Sequence, residues 1–168
     1  GAPGASITTL DFNGGTYKGF EAETLSDEAL EYSQDHVRIL SGLYGLVRPL
    51  DLIQPYRLEM GTSLSTERGD DLYEFWGSKI TDALNDALEG HEDKSIVRVA
   101  SNEYFDALQP EELDGDVIEC TFREKRDGEL KFISLYAKEA RGMLARFMVE
   151  NRVESVEGPG EDPDDPIE

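Results

Sequence analysis

The 168-residue sequence is poor in cysteine and histidine, and each shortage argues against a class of chemistry. The single Cys120 cannot form an internal disulfide. In the alternating stretch DVIECTF it is predicted to be a small core residue rather than a nucleophile. The two histidines, His36 and His91, have no partner at the usual spacing of metal ligands. We therefore expect no metal site and no cofactor.

Long apolar runs are also absent from the sequence. No stretch approaches the length of about eighteen apolar residues that marks a membrane span, and the N-terminus has no charged-then-apolar leader. We expect a cytoplasmic monomer that does not contact membranes. With 38% hydrophobic residues and no internal repeat, the chain is long enough for one domain with a real core.

Basic residues are few, and this is the strongest anomaly of the composition. The chain has 37 acidic and 16 basic residues, a net charge of −21, and ten of the basic residues are arginines. This balance resembles proteins of a high-salt cytoplasm, where acidic surfaces stay hydrated and salt screens their repulsion. The alternative is an ordinary acidic protein with a disordered tail.

The pattern of the chain predicts a mixed α/β domain in which helices surround a small mixed sheet. Ser26 or Thr24 is predicted to cap a helix through SDEALEYSQDHVRIL, and further helices are predicted in GDDLYEFWGSKITDALNDALEG, SNEYFDAL and AKEARGMLARFMVENR. Strands are predicted in TYKGF, SIVRVAS, DVIECTF and LKFISLY, with a hairpin turn at Asp127-Gly128. The expected boundaries are an N-terminal loop over 1–16, the domain over 17–152, and an acidic disordered tail over 153–168.

The stretch LSGLYGLVRPLDLIQPYRLEMG combines glycines, prolines and arginines among leucines without a regular period. It is either an awkward buried turn or a binding surface made of backbone. Gly42 and Gly45 would let the chain approach a ligand closely, and Arg38 and Arg48 would attract an anion. A helix, a glycine hairpin and a second short helix are the parts of a helix-hairpin-helix motif, so we expect such an element near 26–54.

The last predicted helix carries cations beside an apolar side. Ala140, Met143, Leu144 and Phe147 fall on one side at about 100° per residue. Four cations cluster on another side, namely Lys138, Arg141, Arg146 and Arg152. Arginine forks match phosphate oxygens, so this cluster indicates a phosphate site. The alternative is a solvated helix face paired with acidic neighbours.

Two polar clusters are candidates for acid–base chemistry. QPYRLEMG places Tyr56, Arg57 and Glu59 together, and ASNEYF places Glu103 and Tyr104 just after a probable strand, where α/β proteins often bind ligands. Glu59, Glu103 and Tyr104 are therefore the catalytic candidates. The alternative is a helix cap in ASNEYF and a structural arrangement of Arg57 with Glu59.

Four blocks carry a resemblance to a known family: RILSGLYGLVRPLDLIQPYRLEMGTSL, DLYEFWGSKITDALN, ASNEYFDAL and FISLYAKEARGMLARFMVENR. Over about Tyr17 to Arg152 the chain resembles the YaaA family of bacterial proteins linked to hydrogen peroxide resistance. The resemblance implies an α/β fold of unusual topology, and double-stranded DNA binding through a basic cleft with a helix-hairpin-helix element. It also implies effects on intracellular iron. Family members begin with a further segment and end with a short basic, apolar piece, so this sequence resembles a fragment.

The first hypothesis is therefore a DNA-binding protein of the peroxide stress response that contacts phosphates of any duplex sequence. A binding role is favoured over catalysis. The second hypothesis is an enzyme acting on a nucleotide or another phosphorylated molecule with the same cations, and a third is an iron-handling protein that uses carboxylates. We expect Arg48, Arg57, Lys138 and Arg141 to converge on one cleft. The candidate phosphate contacts are Arg38, Gly42, Gly45, Arg48, Arg57, Lys138, Arg141, Arg146 and Arg152.

Overall fold

The computed structural model describes residues 6–7, 15–122, 124–126, 129–131 and 134–156. Within them lie the α-helices α1 (Gly15–Phe20), α2 (Asp27–His36), α3 (Leu72–Trp76), α4 (Lys79–Leu88), α5 (Asn102–Phe105) and α6 (Ser134–Glu150). The strands are β1 (Ser6–Ile7), β2 (Ile39–Ser41), β3 (Gly45–Val47), β4 (Leu52–Ile53), β5 (Ile96–Arg98), β6 (Val117–Glu119), β7 (Glu124–Arg126) and β8 (Glu129–Lys131). The predicted mixed α/β fold is confirmed.

The strands form four pairs. The pairs β1–β4, β2–β3 and β7–β8 are antiparallel, whereas β5 and β6 run parallel with Ile96 opposite Val117. The predicted strand after the 127–128 turn ends early, because β8 stops at Lys131 and α6 begins at Ser134. The predicted turn residues themselves lie outside the described residues.

Local signals explain where two of the helices begin. The Ser26 hydroxyl accepts a hydrogen bond from the Ala29 amide at 3.2 Å and caps α2, as the sequence predicts. The Asp71 carboxylate accepts one from the Glu74 amide at 2.9 Å and caps α3. The predicted second helix is divided into α3 and α4, since Gly77 adopts a left-handed φ of 52° between them.

The segment TYKGF belongs to helix α1, so its assignment as a strand is wrong. Its glycine lets α1 pack directly on α6: a Cβ on Gly19 would lie 2.1 Å from the Glu139 carbonyl oxygen. In return, a Cβ on Gly142 would lie 1.9 Å from the Thr16 carbonyl oxygen. Two glycines thus allow the two helix backbones to touch, an arrangement that periodicity within one segment does not show.

This contact also decides which side of α6 is buried. The side expected to be apolar lies opposite Gly142, and its Met143 and Phe147 are 60% and 59% exposed. Val149, on the same side of the helix as Gly142, is 2% exposed and packs on Phe20 of α1 and on Ala29 of α2. The expected orientation of α6 is wrong because helix α1 approaches where the side chains are smallest.

The glycine-rich stretch is explained by Trp76. Its indole N–H donates to the Gly42 carbonyl oxygen at 3.0 Å, and its ring would be 2.9 Å from a Cβ on Gly45, where φ is 77°. The segment 26–54 has the expected helix and hairpin, but a turn and β4 follow where a second helix was expected. The three consecutive residues Gly45–Val47 pair with β2 instead, so the chain continues as a sheet.

Four residues of the expected tail contact the domain. The Tyr32 hydroxyl donates to the Val153 carbonyl oxygen at 3.0 Å, and Glu154 lies 3.8 Å from His36. The Val156 amide donates to Asp93 at 3.4 Å. The rest of the tail lies outside the described residues. Within the described part of the chain, no helix is long and apolar enough to cross a membrane.

Candidate anion-binding site

A cavity of about 730 Å³ is bordered by α1, α2, α4, α6 and β5. Apolar side chains form much of its wall, including Leu84 and Leu88 of α4 and Met148 of α6. Three of the predicted cations line it as well, namely Arg38, Lys138 and Arg141. Arg48 and Arg57 do not line this cavity, so two of the four cations expected to converge meet here.

A second, polar pocket of about 140 Å³ adjoins the cavity. The two spaces share Arg98, Ala100 and Arg141. This polar pocket lies just beyond the carboxyl ends of the parallel strands β5 and β6, where open α/β sheets bind ligands. Its other lining residues are Asn102, Glu119, Cys120, Thr121 and Phe122.

Arg98 is fixed in place by its neighbours. Its guanidinium donates to the carboxylate of Glu119 and to the side-chain oxygen of Asn102. It also lies over the ring of Phe105, 4.1 Å from the ring centroid. With 16% of its side chain exposed, Arg98 forms a rigid wall whose charge is compensated by Glu119.

Arg141 and Lys138 differ from Arg98 because their charges are not compensated locally. They are three residues apart on α6, so both lie on one side of that helix. Neither side chain makes an ion pair or a hydrogen bond with any residue that the structure describes. In a chain of net charge −21, these two cations are free to bind an external anion.

Two of the other predicted cations are paired on the surface or with helix carbonyls. Arg48 lies 2.9 Å from Asp51, and its backbone amide donates to the same carboxylate at 2.8 Å. Burial raises the pKa of Asp51, but these hydrogen bonds and the charge of Arg48 outweigh it and lower that pKa below its ordinary value. Arg38 donates to the carbonyl oxygens of Gln34 and Val37, both at 2.9 Å, at the end of α2.

The two cations after Arg141 have internal partners too. Arg146 donates to the carbonyl oxygens of Phe20 and Glu21 at 3.1 and 3.0 Å, and it pairs with Glu150 at 2.8 Å. These contacts hold the end of α1 against α6. Arg152 lies 3.4 Å from Glu28, and both side chains are exposed. Arg146 therefore has a structural task already.

The remaining predicted phosphate contacts lie elsewhere. Gly42 and Gly45 are buried beside Trp76, so their close approach is to this ring rather than to a ligand surface. Arg57 is exposed and has no partner among the residues that the structure describes. It remains a candidate for contact with an extended anion.

The three acid–base candidates do come together. Glu59, Glu103 and Tyr104 line the same cavity as Lys138 and Arg141. One oxygen of Glu103 accepts a hydrogen bond from the Gly61 amide at 2.9 Å. Burial, and then Tyr56 and the two carboxylates, raise the pKa of Tyr104, so its hydroxyl is neutral at physiological pH.

Tyrosine hydroxyls extend this polar group. Burial raises the pKa of Tyr17, and the neighbouring Tyr104 and Tyr56 add to that effect. The Tyr56 hydroxyl makes a hydrogen bond with Ser41, whose oxygen also accepts the Tyr44 amide at 3.0 Å. The cavity therefore presents neutral hydroxyl donors beside carboxylates and two cations.

Sequence reasoning missed Arg98 and the proximity of the histidines. A charged residue within the apolar run SIVRVAS was the available signal for Arg98, because a buried charge needs a partner. His36 and His91 are far apart in sequence, yet their rings meet edge to face at 4.9 Å. No group of three metal-ligating side chains is present among the described residues.

Cys120 is half-buried at the wall of the polar pocket. Burial raises the pKa of its thiol above the ordinary value. The thiol is therefore protonated at neutral pH, as suits the predicted structural role rather than a nucleophile.

Comparison with known proteins identifies a family. A family model described as "Peroxide stress protein YaaA" matches residues 3–159. A "UPF0246 protein" of Polynucleobacter necessarius is 55% identical over 142 residues, which is 84% of this chain and 55% of that protein. Similar proteins from Phenylobacterium zucineum and Saccharophagus degradans are 55% and 52% identical, covering 85% and 91% of this chain and 54% and 60% of their own length. The chain spans about half the length of the curated relatives it matches.

Proposed function

The chain belongs to the family of the peroxide stress protein YaaA, and we propose that it acts in the peroxide response by binding the phosphates of duplex DNA. Phosphate contacts bind DNA of any sequence, because they carry no base information. They suit a protein that would act wherever peroxide damages DNA.

The pair Lys138 and Arg141 carries this proposal. Both line the cavity from one side of α6 and have no partner among the described residues. The exposed Arg57 supplies a third candidate contact. Three cations without a partner in a strongly acidic chain support a role outside the fold, since a carboxylate neighbour would otherwise stabilise them at little cost.

The test is the titration of a labelled duplex with the full-length protein and with its Arg141→Glu variant. We expect about a tenfold or greater loss of affinity in the variant, and the same loss on unrelated duplex sequences. Lys79→Glu is the matched control, because it makes the same charge change at an exposed residue of α4 that lines neither space. Equal affinities of the Arg141→Glu and Lys79→Glu variants would refute the proposal.

Salt dependence gives a second readout of the same contacts. Neutralising about three phosphates predicts a log–log slope of roughly −2.7. The net charge of −21 adds a repulsion that weakens as salt rises, so we expect a flatter slope than this count alone predicts. A slope much steeper than −2.7 would mean that cations outside the described residues dominate binding.

A second candidate function is the binding or conversion of a phosphorylated small molecule. It is favoured by one observation: Glu59, Glu103 and Tyr104 line the same cavity as the two free cations. An enclosed space with acids beside cations suits a nucleotide better than a long duplex. Titration with a mononucleotide separates the two, because a nucleotide site predicts a raised unfolding temperature and displacement of the duplex. If the nucleotide does neither, the DNA proposal stands alone.

A further inference from the structure

Strand β5 borders the cavity along its edge. All seven residues from Ser95 to Ser101 line the cavity. Side chains alternate between the two faces of a strand, so an unbroken run of lining residues means that the backbone edge itself faces the space. β6 occupies the opposite edge, and within the described residues it is the sole strand that pairs with β5.

The direction of the amides supports this reading. The Ile96 amide donates to the Asp116 carbonyl oxygen at 2.8 Å, towards β6. Along a parallel pair the amides of alternate residues point to the same neighbour, so the Arg98 amide also points to β6. The amides of Val97 and Val99 then point towards the cavity.

The surroundings of this edge are those of an interior strand. Parallel strands are normally covered on both faces, and an open edge with apolar side chains readily pairs with another chain. Here Ile96, Val97 and Val99 remain half-buried beside a cavity whose wall includes Leu88 and Met148. An extended apolar segment would satisfy both the backbone groups and the apolar wall.

We propose that an extended segment of the full-length protein, outside these 168 residues, pairs with β5 as a further strand and fills the cavity. The chain length supports this occupant, because the matched relatives are nearly twice as long as the part that this chain covers. A second copy of the chain is disfavoured, since two chains of net charge −21 repel each other.

The added strand has a consequence for the anion-binding site. The cavity and the polar pocket share Arg98, Ala100 and Arg141. A strand beside β5 ends next to these residues and completes the wall of the polar pocket. This inference concerns the fold and does not depend on the proposed DNA binding, so each can fail without the other.

The test is residue-resolved hydrogen exchange of the full-length protein. We expect the amides of Val97 and Val99 to be protected as strongly as those of Ile96 and Arg98, which point to β6 and serve as internal controls. An unpaired edge would leave Val97 and Val99 exchanging on the order of 100-fold faster than these controls. That outcome would overturn the proposal.

A photo-crosslinker at Val97 in the full-length protein identifies the occupant. We expect an intramolecular crosslink to a peptide outside the 168 residues. A crosslink between two molecules would assign the edge to a second copy, and a crosslink within residues 1–168 would assign it to this part of the chain. Either of these results would overturn the proposal.

Discussion

The contact between α1 and α6 makes a prediction in which two effects oppose each other. Gly142 lies inside α6, and replacing a glycine inside a helix by alanine stabilises the helix by about 1 kcal/mol. The new Cβ of Gly142→Ala, however, would lie 1.9 Å from the Thr16 carbonyl oxygen and 2.7 Å from the Phe20 nitrogen. Both are backbone atoms, so no rotation of a side chain relieves the clash and α1 has to move.

The packing effect is the larger of the two. A Cβ essentially never comes within 3.0 Å of another heavy atom, so the helices must separate by about an ångström along their contact. Overpacking of this kind costs about 1–3 kcal/mol, and separation also removes contacts around Phe20 and Val149. After subtraction of the helix propensity we expect a net loss of about 1–3 kcal/mol, or roughly 2–12 °C in the unfolding temperature.

Thermal unfolding followed by circular dichroism measures this loss. Gly90→Ala is the matched control, because a Cβ there meets nothing within 4 Å and the glycine lies at the end of α4. We expect the control to change the unfolding temperature little. A Gly142→Ala variant as stable as the wild type, or more so, would refute the close contact of α1 with α6.

Three further predictions concern other contacts. Asp51→Asn should lower stability by up to about 1 kcal/mol at pH 7. Because Arg48 lowers the folded-state pKa of Asp51, this loss should vanish when the pH of urea titrations falls well below 4. Arg146→Met should cost about 1–3 kcal/mol in urea denaturation, since it orphans the Phe20 and Glu21 carbonyl groups, whereas the exposed Arg152→Met should cost less than 1. Truncation after Val156 should leave the unfolding temperature unchanged and truncation after Arg152 should lower it, because Val153 and Val156 are hydrogen-bonded; equal effects would contradict the structure.

Features that depend on neighbours along the chain could be predicted. The Ser26 cap, the helical period of α2 and α4 and the pairing around the 127–128 turn follow from residues a few positions apart. The same holds for the acidic balance, which is a sum over residues, and for the family, whose blocks are continuous in sequence. Local hydrogen bonds and helix propensities are enough to specify these features.

Features that depend on distant partners could not. The pattern of α6 showed four cations, but which of them are free follows from the carbonyl groups of α1 that bind Arg146 and from Glu28, which pairs with Arg152. The role of Gly142 depends on Thr16, and the fixed orientation of Arg98 depends on Glu119 across a parallel strand pair. Such contacts join residues 21 to 126 positions apart, and one sequence carries no mark of which side chains will meet. Lys138 and Arg141 are therefore a site because packing left them without a partner among the described residues, and not because their spacing is special.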